Sequence, residues 1–133
     1  MKVELDEQFA EATKFQDTGQ LESAKKLLLE LEKKDPQSTR ILAALGLVCY
    51  ELSHMEEAVS VFQRAVEISP TLEGVSKGLF HSLWKLERQV EALEEIKRFQ
   101  TISDSEDYRE ILREINEKWG WSECERADER WQL

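Results

Sequence analysis

Two histidines, His54 and His81, and two cysteines, Cys49 and Cys124, are the residues of this sequence most readily turned to nucleophilic catalysis or metal binding. An imidazole beside a thiol generates a thiolate nucleophile, and His or Cys clustered at short fixed spacings hold zinc. Neither arrangement is written here. The histidines stand apart, and no His-Glu-x-x-His, Cys-x-x-Cys or glycine-rich phosphate loop occurs. Cys49 precedes His54 closely, but it lies within the apolar run Ile41 to Tyr50, where the expectation is a small core hydrophobe. Carboxylates are abundant, and without a cleft to raise one pKa they read as a solvated face. The sequence thus predicts no enzyme, no metal and no cofactor.

The elements available to position any site follow from composition. The chain has 133 residues, 41% hydrophobic and 35% charged, with 5 Gly and 2 Pro, which suits a single all-α domain over residues 1–133. Its 28 acidic residues against 18 basic ones give a net charge of −10, so its field repels polyanions and no nucleic-acid partner is expected. Ile41 to Tyr50 is about half the length an α-helix needs to cross a bilayer, so no membrane partner is expected either. The first residues, Met1 to Glu7, are acidic where a secretory signal is basic and then apolar. The expected compartment is the cytoplasm, with both thiols reduced.

A fixed period organises the chain. Ala24, Ala58 and Ala92 are 34 residues apart, Pro36 and Pro70 share that offset, and Leu28, Phe62 and Ile96 keep step with them. Within the period, apolar residues recur at three- and four-residue intervals, as in Leu42, Leu45, Cys49 and Leu52, and again in Ala58, Val61, Phe62 and Ala65. Each period therefore reads as two amphipathic helices. The helices are joined by the polar links Thr18-Gly19-Gln20, Leu52-Ser53-His54 and Glu87-Arg88-Gln89, and Ser53 with Glu56 has the spacing of a capping box.

On these residues, above all Leu45-Gly46, Ala58, Phe62, Ala65 and Pro70, the sequence resembles the tetratricopeptide repeat family. The resemblance implies an α-α superhelix, or solenoid, of three helix hairpins over residues 5–38, 39–72 and 73–106. The third unit departs from the pattern, with Phe80 in place of a small residue and Asp104 in place of a proline. Residues 107–133 form the closing segment. There Tyr108, Ile111, Leu112, Ile115 and Trp119 make one apolar stripe, a capping helix with Gly120 as its stop. A short eighth helix carrying Cys124, Ala127 and Trp131 is expected beyond it.

The resemblance also implies a non-enzymatic protein-interaction scaffold or adaptor. Its concave groove, lined by the first helix of each unit, takes a peptide or helix of a partner protein. The groove-facing residues are then Arg40, Ala43, Ala44, Leu47 and Tyr50 in the second unit, and Gly74, Lys77, Gly78, His81, Trp84 and Lys85 in the third. Tyr and Trp are common interface anchors, and the lysines favour an acidic or amphipathic segment. Family members that hold the C-terminal carboxylate of heat-shock chaperones use a clamp of Lys, Asn and Arg. The corresponding positions here hold Phe9, Thr13, Ala44, Gly74 and Gly78, so a chaperone tail is not the expected ligand. The alternative expectation is a homo-oligomer formed through a second surface at the tryptophan-rich end, Trp121 and Trp131.

Overall fold

The helical periodicity of the sequence becomes seven α-helices in the computed structural model, which describes residues 2–119. They are α1 (Lys2–Asp17), α2 (Leu21–Lys34), α3 (Thr39–Glu51), α4 (Met55–Ile68), α5 (Glu73–Lys85), α6 (Gln89–Ile102) and α7 (Glu106–Trp119), with no strand among the described residues. The helices pack in consecutive antiparallel pairs, α1 with α2, α3 with α4 and α5 with α6, and the pairs stack into a solenoid. Gly120, Cys124, Ala127, Trp121 and Trp131, and with them the expected eighth helix and second surface, lie outside the described residues.

The turns within the hairpins repeat as strictly as the helices. Gly19, Ser53 and Glu87, each 34 residues from the next, all have positive φ, at 79°, 64° and 61°. Each ends its helix with the same pair of hydrogen bonds: His54 N–H donates to Cys49 C=O (2.8 Å) while Ser53 N–H donates to Tyr50 C=O (3.0 Å), with the same pattern at Gln20 and Arg88. This is the Schellman closure, which needs a left-handed residue and is filled most cheaply by glycine. Ser53 is therefore a helix terminator, and the capping-box expectation fails. His54 occupies the N-cap of α4 and no side chain caps that end. The third link is displaced by one residue as well, since Gln89 already belongs to α6 and the turn is Leu86 to Arg88.

Exits from the second helices are fixed by another repeated device. Arg64 pairs with Glu32 (2.6 Å) and donates to the carbonyl of Pro36, while Arg98 pairs with Glu95 (2.6 Å) and donates to the carbonyl of Pro70. Each arginine thus fastens its own helix to the proline turn of the preceding unit. Where the third unit has Asp104 instead of proline, side chains direct the chain. Gln100 accepts from Ser105 N–H (2.8 Å), Ser105 caps α7 by accepting from Tyr108 N–H (3.1 Å), and Asp104 pairs with Arg109.

In the second unit Gly46 on the first helix meets the Phe62 ring on the second, and in the first unit the corresponding positions hold Ala12 and Leu28, both buried. The third unit reverses the sizes, Phe80 with Ile96, and both are buried. The larger residue thus stands on the first helix in this unit, where the Phe80 ring packs against Trp84 and Tyr108.

Phe80 then meets α7. Tyr108, fully buried, sits edge-on to Phe80 (6.0 Å between ring centroids) and to Phe99 (5.6 Å). Its hydroxyl lies 2.6 Å from Ser76 Oγ, and Ser76 donates to Glu95 (2.6 Å), whose carboxylate is held by Arg98. Because the single Ser76 proton goes to Glu95, the Tyr108 O–H donates to Ser76. Every member of the chain has its partner, which is what a buried carboxylate requires. Burial holds the Tyr108 phenol far above its ordinary pKa, so it stays a donor.

Two outcomes follow. Ser53→Gly and Glu87→Gly each raise stability by about 0.5–1 kcal/mol, because they relieve a left-handed L-residue at the cost of a floppier unfolded chain; urea unfolding shows a higher midpoint with unchanged slope. Ser76→Ala and Tyr108→Phe each cost about 1–3 kcal/mol by stranding a buried polar partner. The double variant costs less than their sum, so a double-mutant cycle that returns strict additivity refutes the linked network.

Candidate functional site

α3 and α5 each carry residues that the core leaves half-buried or exposed. On α3, Leu42, Leu45 and Cys49 are buried in the core, while Arg40 and Leu47 are exposed and Ala43, Ala44 and Tyr50 half-buried. Leu47 is 47% exposed, an isobutyl group held in solvent by a rigid helix. On α5, Val75, Leu79 and Leu83 are buried, while Gly74, His81 and Lys85 are exposed and Lys77, Gly78 and Trp84 half-buried.

Leu47, Tyr50, Gly78 and His81 converge on one depression of about 210 Å³, floored by the ring of Phe62 from α4. A Cβ at Gly78 would come within 2.5 Å of that ring, and one at Gly46 within 2.8 Å. Phe62 is therefore clasped between two helices that have no side chain at the point of contact. The pocket exists because Gly78 leaves its space open. Its lining is aromatic and aliphatic, with the Tyr50 hydroxyl and the His81 imidazole as its polar side-chain groups. Desolvation and the neighbouring Lys77 lower the His81 pKa, which favours the neutral ring.

The other sequence-predicted residues have different employment. Arg40 reaches back to α1, pairing with Asp6 (2.8 Å) and lying over the Phe9 ring at 4.4 Å. Lys77 reaches forward, pairing with Asp107 at the start of α7 (2.6 Å) and with Glu73 (3.6 Å). The hydrogen bond to Asp107 raises the lysine pKa and lowers that of Asp107. These two cations link successive first helices along the groove. Trp84 stacks on Phe80 (5.7 Å, 28° between planes), half-buried, with exposed Lys85 beside it. Sequence reasoning assigned Phe62 to the core alone. Glycines at 46 and 78, 32 residues apart and off the period, were the signal that one ring serves two helices.

The catalytic candidates are separated. Cys49 is buried, and burial pushes its thiol pKa up to about 11, so it carries almost no thiolate at pH 7. Nδ1 of His54 accepts from Lys25 Nζ at 2.8 Å, which turns that imidazole toward α2. Among the described residues no group of three His, Cys, Asp or Glu is placed to hold a metal ion, and no helix is long and apolar enough to cross a membrane.

No protein-family model and no curated relative matches this chain. Solved structures do match. The first TPR of Spaghetti (RPAP3), bound to the HSP90 peptide SRMEEVD, aligns with a TM-score of 0.76 at 14% identity, over 87% of this chain and 93% of that one. The type III secretion translocator chaperone SycD of Yersinia enterocolitica aligns at 0.71 with 16% identity, over 85% and 86%. A point mutant of MamA aligns at 0.69 with 19% identity, over 77% and 74%. Of two other MamA chains, this chain spans just 53% and 57% of the length. At these identities the likeness is one of fold: the chain is a tetratricopeptide-type solenoid.

Gly78→Ala is expected to destabilise by about 1–3 kcal/mol despite the better helix propensity of alanine, because the ring of Phe62 has no room to retreat. Adding Phe62→Leu recovers most of the loss. Thermal unfolding of the two variants measures both effects, and an alanine that stabilises on its own refutes the clasp.

Proposed function

We propose that the protein is a non-enzymatic interaction module that docks a peptide or helical segment of another protein in its concave groove. The observation that carries this reading is the exposed Leu47 beside Tyr50 and His81, opening onto a preformed apolar pocket. A rigid helix that holds a large aliphatic side chain in water next to an aromatic ring has the makings of an interface hot spot. Two structural neighbours support it by function: the RPAP3 domain holds an HSP90 peptide, and SycD is named as a chaperone of a translocator.

Of the partner chemistries considered, an amphipathic segment fits better than a plainly acidic one. Arg40 and Lys77 are already paired within the protein, so the groove centre offers apolar contact rather than free positive charge. Phe9, Thr13, Ala44, Gly74 and Gly78 offer no cationic clamp for a chaperone carboxylate, so the ligand of the RPAP3 domain does not transfer with the fold. The single-domain reading over 1–133, with units 5–38, 39–72 and 73–106, belongs to the same proposal.

The test is affinity capture from native extract with wild-type protein and a Leu47→Glu/Tyr50→Ala variant side by side. Leu47 is exposed and Tyr50 half-buried against the core, so helical circular dichroism and a cooperative melt are measured first to establish that the variant is folded. Specific partners fall by at least tenfold, about 1.4 kcal/mol of binding energy. Undiminished capture by a folded variant refutes the groove assignment.

A further inference from the structure

Between α5 and α7 lies a second depression, a cleft of about 230 Å³. α5 contributes Phe80, His81 and Trp84 to its lining, and α7 contributes Ile111 and Ile115. The rings of Phe80 and Trp84 are stacked, 5.7 Å apart and 28° between planes, so the α5 side offers a flat aromatic surface. Trp84 and Ile111 pack against the core yet stay half-buried, which leaves apolar area to the cleft. The charged residues at the lining are one acid, Glu114, and one base, Lys118, so charge does not choose the occupant. The lining selects a flat apolar group.

The chain carries such a group at the cleft's own margin. α7 presents its share of the lining at Ile111, Glu114, Ile115 and Lys118, steps of three and four residues that make one face of a helix. The same spacing taken one step past Lys118 reaches Trp121. Lys118 already lines the cleft, and three residues of chain span at most about 11 Å, so the Trp121 indole is within reach whatever course the backbone takes at Gly120. A side chain on so short a tether has an effective concentration of order mM, which favours it over a free partner of the same chemistry. Trp131 offers the same ring on a longer tether, which lowers that figure.

We propose that the cleft between α5 and α7 is the seat of the chain's own Trp121, whose indole packs on Trp84 and against Ile111 and Ile115. The occupant is thus the segment 120–133 of the same molecule, anchored by its first tryptophan. His81 lines this cleft and the Leu47 pocket alike, so the seated indole marks where the groove open to a partner ends. Leu47 and Tyr50 line the other pocket and not this cleft, so the inference stands or falls apart from the docking reading above.

Methyl NMR on the full chain, recorded over a dilution series, tests the inference. NOEs are expected between the Trp121 indole protons and the methyl groups of Ile111 and Ile115, unchanged on dilution. Trp121→Ala removes the indole's ring current and moves both isoleucine signals, while the Leu28 and Leu45 methyls, in the core of the first two units, keep their positions and show that the variant is folded. Trp131→Ala leaves the Ile111 and Ile115 signals in place. If Trp121→Ala fails to fold, the wild-type NOEs decide alone. Isoleucine signals that ignore Trp121→Ala in a folded variant, or a wild type without those NOEs, overturn the proposal. So do NOEs that come from Trp131 instead, and NOEs that fade on dilution, which make a second copy of the chain the occupant.

Discussion

The ring of Phe62 is the constraint on which the rest of the arrangement depends. It rises from α4 toward both α3 and α5 and its far end is met by a glycine of each, so both first helices approach to the limit that one aromatic ring allows. Core packing at near-crystalline density tolerates neither a larger nor a smaller group there. The same ring is the pocket floor, so fold and site share one contact. A change that loosens the stack also reshapes the groove.

The closing end shows the reverse economy. The third unit moves its bulk from the second helix to the first, and Phe80 thereby becomes a platform for Tyr108 and Trp84. The hydroxyl that Tyr108 brings into the core is satisfied by a serine, a glutamate and an arginine that already belong to the third unit. Apolar contact supplies the energy of docking, and the polar chain fixes the rotation of α7 about its own axis. A buried donor placed one residue away would have no partner.

Much of this was legible in the sequence, because a period of 34 residues constrains every unit at once. The helices, the alanine and proline positions, and the stripe on α7 all follow from spacing. What escaped were features that depend on neighbours in space. Ser53 and Glu87 have no local signature of a left-handed residue; just their register with Gly19 gives them away. Lys77 reads as a free groove cation until α7 brings Asp107 within 2.6 Å. Phe80 reads as a defect until α7 brings Tyr108 against its ring. The convergence of Leu47, Tyr50 and His81 on one pocket needs the superhelical offset between units, which no pattern along the chain encodes.

The arginines that grip the carbonyls of Pro36 and Pro70 have a consequence for how the molecule comes apart. Each bond spans from one hairpin to the turn that ends its predecessor, so melting the first or the second hairpin also releases an anchor of the next. A stack of this kind is a short one-dimensional chain whose links are nearest-neighbour couplings. The staples shift weight from the hairpins to the links, so opening propagates along the molecule, and the partially unfolded states that leave repeat proteins prone to degradation and swapping are kept sparse.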